Sequence, residues 1–231
     1  MANIEKNLKA IFSEISAGND RGEKIALLGA TKFVPTEKIN EAVAAGLECI
    51  GENHAQEFRD KFAFFPPCEK HFIGTLQKNK LKYVVGKADV IDSVSNEEIA
   101  EAINEKAATL GIVQNVMLEI NAGDEKSKTG VSINTAKTLY KSIIGLNHLK
   151  LVGIMAMLPA GKTEDELACL CEKVREFYDE IRVLSPDVKT LSMGMSSDYK
   201  TAIKHGSNMI RLGRAIFGER MQNAAQEQKN T

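Results

Sequence analysis

From Ile25 onward, short apolar runs rich in β-branched residues alternate with segments whose apolar residues recur at helical spacing. IALLGAT (25–31) reads as the first strand. PTEKINEAVAAG follows, with Ile39, Ala42 and Val43 on one helical face and Gly46 as a stop. The cycle then repeats: ECIGEN with AQEFRDKFAFF, and, after the break at Pro66-Pro67, EKHFIGTL with NKLKYVVGKA. VIDSVS precedes a helix that opens at Ser95-Asn96-Glu97-Glu98 and runs to Gly111, and NVMLEIN precedes one near 135–144. LVGIMAML is followed by a long helix from Thr163-Glu164-Asp165-Glu166 to the region of Pro186. Both four-residue openings are capping-box patterns. TLSMGMS with DYKTAIKHG, and then MIRLGRAIFG, complete the series.

Eight strand–helix units with nothing left over predict an α/β fold, a single-domain (β/α)8 TIM barrel over 1–231 with its core at about 25–220. The strands are apolar almost throughout, as in a parallel sheet covered on both faces. Residues before Ile25 make an extra N-terminal helix that plugs or flanks the barrel bottom. A doubly wound open sheet is the rival, but no Gly-x-Gly-x-x-Gly follows the first strand. The closing QNAAQEQKNT is polar and reads as frayed.

Charge narrows the function classes. A net charge of -1 gives no electrostatic reason to expect nucleic acid or a membrane surface. The opening MANIEKNLKAIFSEI carries acids and has no continuous apolar core, so it is neither a secretory signal nor a transit peptide, and no apolar run could span a bilayer. A cytoplasmic location follows by default. Cys49, Cys68, Cys169 and Cys171 contain no zinc-type pair with two residues between, so reduced, mostly buried thiols and no metal are expected. Cys169 and Cys171 point to different faces of their helix.

In a barrel, chemistry collects at the carboxyl ends of the strands, so polar residues there are informative. Lys32 ends the first strand. It reads either as a rim lysine that snorkels outward or as a Schiff-base amine, and periodicity does not choose. Gly51-Glu52-Asn53-His54 ends the second strand, as a turn with a helix cap or as a site wall. His71 lies in the third strand, where a satisfied core histidine is the plainer alternative. Met155 and Met157 read as core filling. Lys78, Lys80 and Lys82 form a basic cluster, as a solvated helix face or a docking surface. The last two units matter most: Ser192-Met193-Gly194-Met195-Ser196-Ser197-Asp198 and Arg211-Leu212-Gly213-Arg214. Barrels commonly build a phosphate site from these loops and a helix start. A phosphate clamp facing a strand-end amine describes a site for a phosphorylated aldehyde.

The ordered motifs ATKFVPTEKI, IGENHAQE, HFIGTLQKNK, EINAGDEKSKTG and LSMGMSSDYKTAIKHGSNMIRLGRAIFGER span most of the chain. With them the chain resembles the pyridoxal phosphate homeostasis protein family, the YggS/PROSC group. The resemblance implies a fold-type III barrel like the N-terminal domain of alanine racemase, with pyridoxal 5′-phosphate bound as an internal aldimine on Lys32. It implies phosphate contacts near Met195, Ser196, Ser197, Gly213 and Arg214, Arg211 at the pyridine nitrogen, Asn53 beside the ring and His71 in the same mouth. Two positions depart from the commoner pattern: His54 where tyrosine is frequent, and Arg214 where threonine is frequent. A backbone contact at Arg214 survives that change, whereas a hydroxyl contact does not.

Racemases and decarboxylases of this fold type carry a second, β-rich domain. The chain ends soon after the eighth strand, so a carrier in vitamin B6 and amino-acid balance is expected, with no catalytic residues assigned. Its partners would be pyridoxal phosphate and PLP-dependent apo-enzymes, and its state a monomer or weak dimer. The alternatives are an amino-acid racemase or lyase, a Schiff-base aldolase on a sugar phosphate, and a purely structural barrel.

Overall fold

The computed structural model describes residues 3–125 and 128–218. Eight parallel strands close into a barrel in chain order: β1 (Ala26–Ala30), β2 (Cys49–Glu52), β3 (Glu69–Phe72), β4 (Val90–Val94), β5 (Gln114–Asn121), β6 (Leu149–Met157), β7 (Thr190–Ser192) and β8 (Met209–Leu212). β1 closes on β8 from Ala26 opposite Met209 to Gly29 opposite Leu212. The predicted (β/α)8 architecture is therefore the observed one.

Period-2 alternation sorts each strand's side chains between two layers. Leu28, Cys49, Val90, Met117, Met155 and Met209 form an apolar cluster inside the barrel. Their chain neighbours face out. Phe72, Ile91, Val116 and Ile154 pack into the large cluster beneath α3 (Ala55–Lys61), α4 (Leu81–Val84), α5 (Glu97–Leu110), α6 (Ile133–Ile144) and α7 (Glu164–Leu184). Leu27, Ile50, Ile210 and Leu212 pack into a second outer cluster with α1 (Ile4–Ile15) and α2 (Thr36–Ala44). The interior cluster is the smallest because His71, Asp92, Glu119, Ser192 and Arg211 are buried as well.

The N-terminal helix flanks the barrel. Asn3 caps α1 by accepting from Lys6 N (2.8 Å), and Ile4, Leu8, Ile11 and Ile15 bury one face. Asn7 Nδ2 donates to Ile216 O (3.0 Å) in α9 (Arg214–Phe217). α9 is a single turn, too short to cover the outside of β8 and β1, and α1 supplies that cover.

Several boundaries differ from the pattern reading. The EKHFIGTL strand ends at Phe72, because Gly74 lies so close to the end of β2 that a Cβ there would stand 1.9 Å from Asn53 O. TLSMGMS is strand only to Ser192, and MIRLGRAIFG divides at Gly213 into β8 and α9. The Thr163–Glu166 capping box forms, with Glu166 N donating to Thr163 Oγ1 (3.3 Å) and Thr163 N donating to Glu166 Oε2 (2.9 Å). The Ser95 box does not: α5 is capped by Asn96, whose Oδ1 accepts from Ile99 N (2.9 Å).

Lys78 pairs with Glu98 (2.6 Å), while Lys80, Lys82 and Arg59 gather over the Tyr83 ring. All four cysteines are free. Cys49 and Cys171 are buried, Cys68 is half-buried and Cys169 is exposed on the opposite helix face from Cys171. The frayed segment expected at the C-terminus lies outside the described residues. No described helix is long and apolar enough to cross a membrane.

Candidate functional site

The carboxyl ends of β7, β8, β1 and β2 are four consecutive staves of the barrel. They carry Met195, Ser196 and Ser197; Arg211, Gly213 and Arg214; Lys32; and Asn53. Register fixes their neighbourhood. Arg211 stands opposite Leu28 across β8–β1, and Ala30 stands opposite Gly51 across β1–β2. A Cβ on Gly213 would sit 3.3 Å from Ala30 O, so the start of α9 abuts the end of β1. Arg211 N donates to Gly194 O (3.0 Å), tying the β7–α8 loop to β8, where α8 is Tyr199–Lys204.

The backbone on both sides of Lys32 is pinned from behind. Thr31 Oγ1 donates to Gly51 O (3.1 Å) and to Glu52 Oε2 (3.2 Å), and Thr31 O accepts from Lys61 Nζ (3.2 Å). On the other side, Phe33 N donates to Glu57 Oε1 (2.8 Å), and its ring packs 5.0 Å from that of His54. Phe33 needs this support, since its φ of +60° is costly for a bulky side chain. Lys61 bridges the two carboxylates, at 3.4 Å from Glu52 Oε2 and bonded to Glu57. Burial raises the pKa of Glu52, and the Glu57 charge adds to the rise, while Lys61 and the N–H groups of Asn53 and His54 oppose it. Lys32 itself is half-buried, and among the described residues its Nζ makes no hydrogen bond or ion pair. The frame is fixed and the amine is left unbonded.

Arg211 is held at the side-chain level. Its Nη1 donates to Ser192 O and Ser192 Oγ (both 2.8 Å), and its Nη2 donates to Ala156 O (2.9 Å) with Met157 Sδ at 3.5 Å. Burial lowers its pKa, and the charges of Asp92, Asp198 and Glu119 work against that. The guanidinium has no contacting carboxylate among the described residues.

The β7–α8 loop is shaped by a glycine and an acid. Gly194 has φ +101°, and a Cβ there would meet Tyr199 Cα at 2.8 Å. Asp198 Oδ1 accepts from Met195 N (2.6 Å), and Asp198 Oδ2 accepts from Ser197 Oγ (3.2 Å). Ser196 and Ser197 are exposed, as is Arg214. Ile216 N and Phe217 N donate to Gly213 O (3.0 and 2.9 Å), which leaves the N–H groups of Arg214 and Ala215 without a partner among the described residues. Asn53 is half-buried, with its N–H donated to Glu52 Oε1 (2.8 Å) and no partner on its side chain among the described residues.

His71 does not share this mouth. It faces into the barrel lower down and lines a cavity of about 310 Å³ with Glu69, Val90, Asn115, Lys150 and Met209. All five of those residues lie at the starts of their strands. The reason is length: β3 holds four residues, and alternation turns Glu69 and His71 inward near its amino end. His71 Nδ1 and Asp92 Oδ1 are 2.7 Å apart. Burial alone would lower the His71 pKa, but the Asp92 charge and hydrogen bond, with Cys49 and Glu69 nearby, hold it well above the usual value.

Asp92 and Glu119 are buried polar residues that strand-end reasoning passes over. Glu119 is buried in the barrel, accepts from Thr129 Oγ1 (2.7 Å) and has its pKa raised by burial. The available signal was an acid inside an otherwise apolar strand, in VIDSV and NVMLEIN.

The chain also resembles known proteins over nearly its whole length. Residues 26–221 match the family described as alanine racemase, N-terminal domain. The pyridoxal phosphate homeostasis protein of Aquifex aeolicus is 40% identical over 204 residues, covering 87% of this chain and 90% of that protein. The protein of the same name from Escherichia coli K12 is 36% identical, over 95% of this chain and 98% of its own. Among solved structures, PipY of Synechococcus elongatus with PLP bound superposes with a TM-score of 0.81 at 28% identity, covering 94% of this chain and 100% of that one. Alanine racemase of Clostridium difficile shares the fold, with a TM-score of 0.79 at 16% identity over 96% of this chain and 61% of its own. By whole-length similarity and by the ordered residues at its barrel mouth, the chain belongs to the pyridoxal phosphate homeostasis protein family.

Proposed function

We propose that this protein binds pyridoxal 5′-phosphate at the barrel mouth, holds it as a Schiff base on Lys32, and serves the cytoplasmic balance of that cofactor and of amino acids. The unbonded Lys32 amine, set on a backbone fixed from both sides, is the observation that carries this reading. The residues fit the group in charge and shape. Lys32, Arg211 and Arg214 give the mouth a cationic character suited to a phosphate ester. The close approach of Gly213 to Ala30, the N–H groups of Arg214 and Ala215 and the hydroxyls of Ser196 and Ser197 suit phosphate oxygens.

When bound, the cofactor supplies an electrophilic aldehyde and a ring able to draw electrons from an attached amine. Lys32 would hold the group through Nζ, the amine that would take the aldehyde as a Schiff base. Met195 and Asn53 would flank the ring. Arg211, whose side chain only donates hydrogen bonds, would face the pyridine nitrogen as a donor. A ring nitrogen kept unprotonated is a weak electron sink, which favours carriage over turnover at an amino-acid Cα. Delivery to PLP-dependent apo-enzymes, by a monomer or weak dimer, belongs to the same reading.

The test is a visible spectrum of purified protein mixed with pyridoxal phosphate, followed by borohydride reduction and peptide mapping. An absorption band with reduction fixed on Lys32 is expected. No band, or label scattered over surface lysines, overturns the binding claim. Stereospecific turnover of an amino acid by the same preparation overturns the carrier claim.

A further inference from the structure

We propose that the amino-terminal end of the barrel holds a zinc-class divalent cation, with Cys49 Sγ, the Glu69 carboxylate and His71 Nε2 as its protein ligands. Strand register brings the three together: Cys49 stands directly opposite Glu69 across β2–β3, and His71 follows Glu69 by two residues on the same inward face. The three donor atoms all lie within 4.8 Å of one another. Cys49 Sγ is 3.4 Å from Glu69 Oε2, and His71 Nε2 is 3.7 Å from Glu69 Oε1. Metal bonds of about 2.0–2.3 Å at tetrahedral angles put ligand atoms roughly 3.3–3.6 Å apart, close to the spacing of each outer donor from the Glu69 carboxylate.

The independent sign of a ligand is His71. Its side chain is 1% exposed, yet Nε2 has no hydrogen-bond partner among the described residues and points at the other two donors. A buried polar nitrogen left this way is costly. The opposite ring nitrogen is held by Asp92 at 2.7 Å, the carboxylate–histidine arrangement that fixes a ring so its free nitrogen meets a metal. One thiolate, one imidazole and one carboxylate suit zinc, and three protein ligands leave the fourth position to the adjoining cavity. Lys150, on the cavity wall, is already paired with Asp187 (3.1 Å). Binding releases the Cys49 thiol proton and any proton on Nε2. The other compact donor group, Glu52–His54–Glu57, is a poorer candidate because the Lys61 ammonium already bridges its two carboxylates.

Untagged full-length protein, with and without added pyridoxal phosphate, is titrated with Co²⁺ and separately with Zn²⁺. One equivalent of Co²⁺ should give tetrahedral ligand-field bands and a thiolate-to-cobalt charge-transfer band, unaffected by pyridoxal phosphate at the opposite end. Cys49→Ser should lose the charge-transfer band, and Cys169→Ser should keep it. Glu69→Gln, at a half-exposed position that tolerates change, should weaken Zn²⁺ binding by calorimetry, and Asp92→Asn should weaken it by roughly 10- to 100-fold. Absence of the charge-transfer band in the parent protein, or its persistence in Cys49→Ser, overturns the proposal. If Cys49→Ser does not fold, Glu69→Gln decides: wild-type Zn²⁺ affinity in that variant overturns the proposal.

Discussion

The two ends of this barrel use the same device in different ways. At the carboxyl end, buried Glu52 and its neighbour Glu57 act on the chain around Lys32: they bind Thr31 Oγ1 and Phe33 N, and never touch the lysine amine. At the amino end, buried Asp92 acts on a side chain directly, gripping one nitrogen of His71, while the other has no hydrogen-bond partner among the described residues. In both places a carboxylate fixes the frame and one reactive nitrogen stays unbonded. The routes differ because Lys32 lies past the end of its strand, where only backbone can be held, whereas His71 lies within the sheet, where the backbone is already paired. Preorganisation of this kind removes the entropy cost of ordering a group when its ligand arrives.

The comparison breaks most sharply at Lys32. Lys32→Ala should abolish the cofactor absorption band completely while changing stability by no more than about 0.5 kcal/mol, because among the described residues the side chain makes no hydrogen bond or ion pair that would be lost. Equal loss of band and of melting temperature would mean that the lysine is structural. Glu52→Ala should show the reverse balance. It strips Thr31, Lys61 and the N–H groups of Asn53 and His54 of a buried acceptor, and should cost about 2–4 kcal/mol in denaturant unfolding. The folded fraction should still react at Lys32, but more slowly, since the frame is loosened.

The fold was legible because a parallel barrel repeats one local code eight times. Most strands are largely apolar, and the helices carry their own period and stop, so errors at ends such as EKHFIGTL left the count intact. The mouth drew attention for a related reason: the apolar repeat does not call for polar residues just past strand ends, so Lys32, Ser196 and Ser197 stood out. The floor was not, because its residues come from within strands on different staves. Cys49 and Glu69 are 20 residues apart in sequence and face each other only through register. No spacing rule for metal-binding cysteines sees such a pair, and Asp92 and Glu119 hide among apolar neighbours in the same way.

At the floor, Asp92→Asn should cost about 1–3 kcal/mol by weakening a charged hydrogen bond to His71, measured with chelator present so that metal plays no part. The cost should depend on pH. The folded His71 pKa lies well above its usual 6.5, so this stabilisation is complete below about pH 6.5 and is lost as pH rises through the folded value. The gap in melting temperature between parent and variant should therefore be widest in mild acid and narrow in alkali. A gap that widens with pH would mean that His71 is neutral and Asp92 is doing something else.

The smallest effect expected is at Phe33, and it separates frame from contact. Phe33→Gly removes the steric cost of φ +60° and keeps the N–H donated to Glu57, but gives up the ring packing on His54 and frees the unfolded chain. These changes oppose one another, so net stability should move by less than about 1 kcal/mol. Cofactor binding is the more telling measurement. If the carboxylate network alone positions Lys32, the variant should form its band at a rate near that of the parent. If the Phe33–His54 stack also braces the turn, the band should form more slowly at unchanged stability, and Phe33→Asn, which tolerates the left-handed conformation and restores a side chain, should recover little of the lost rate.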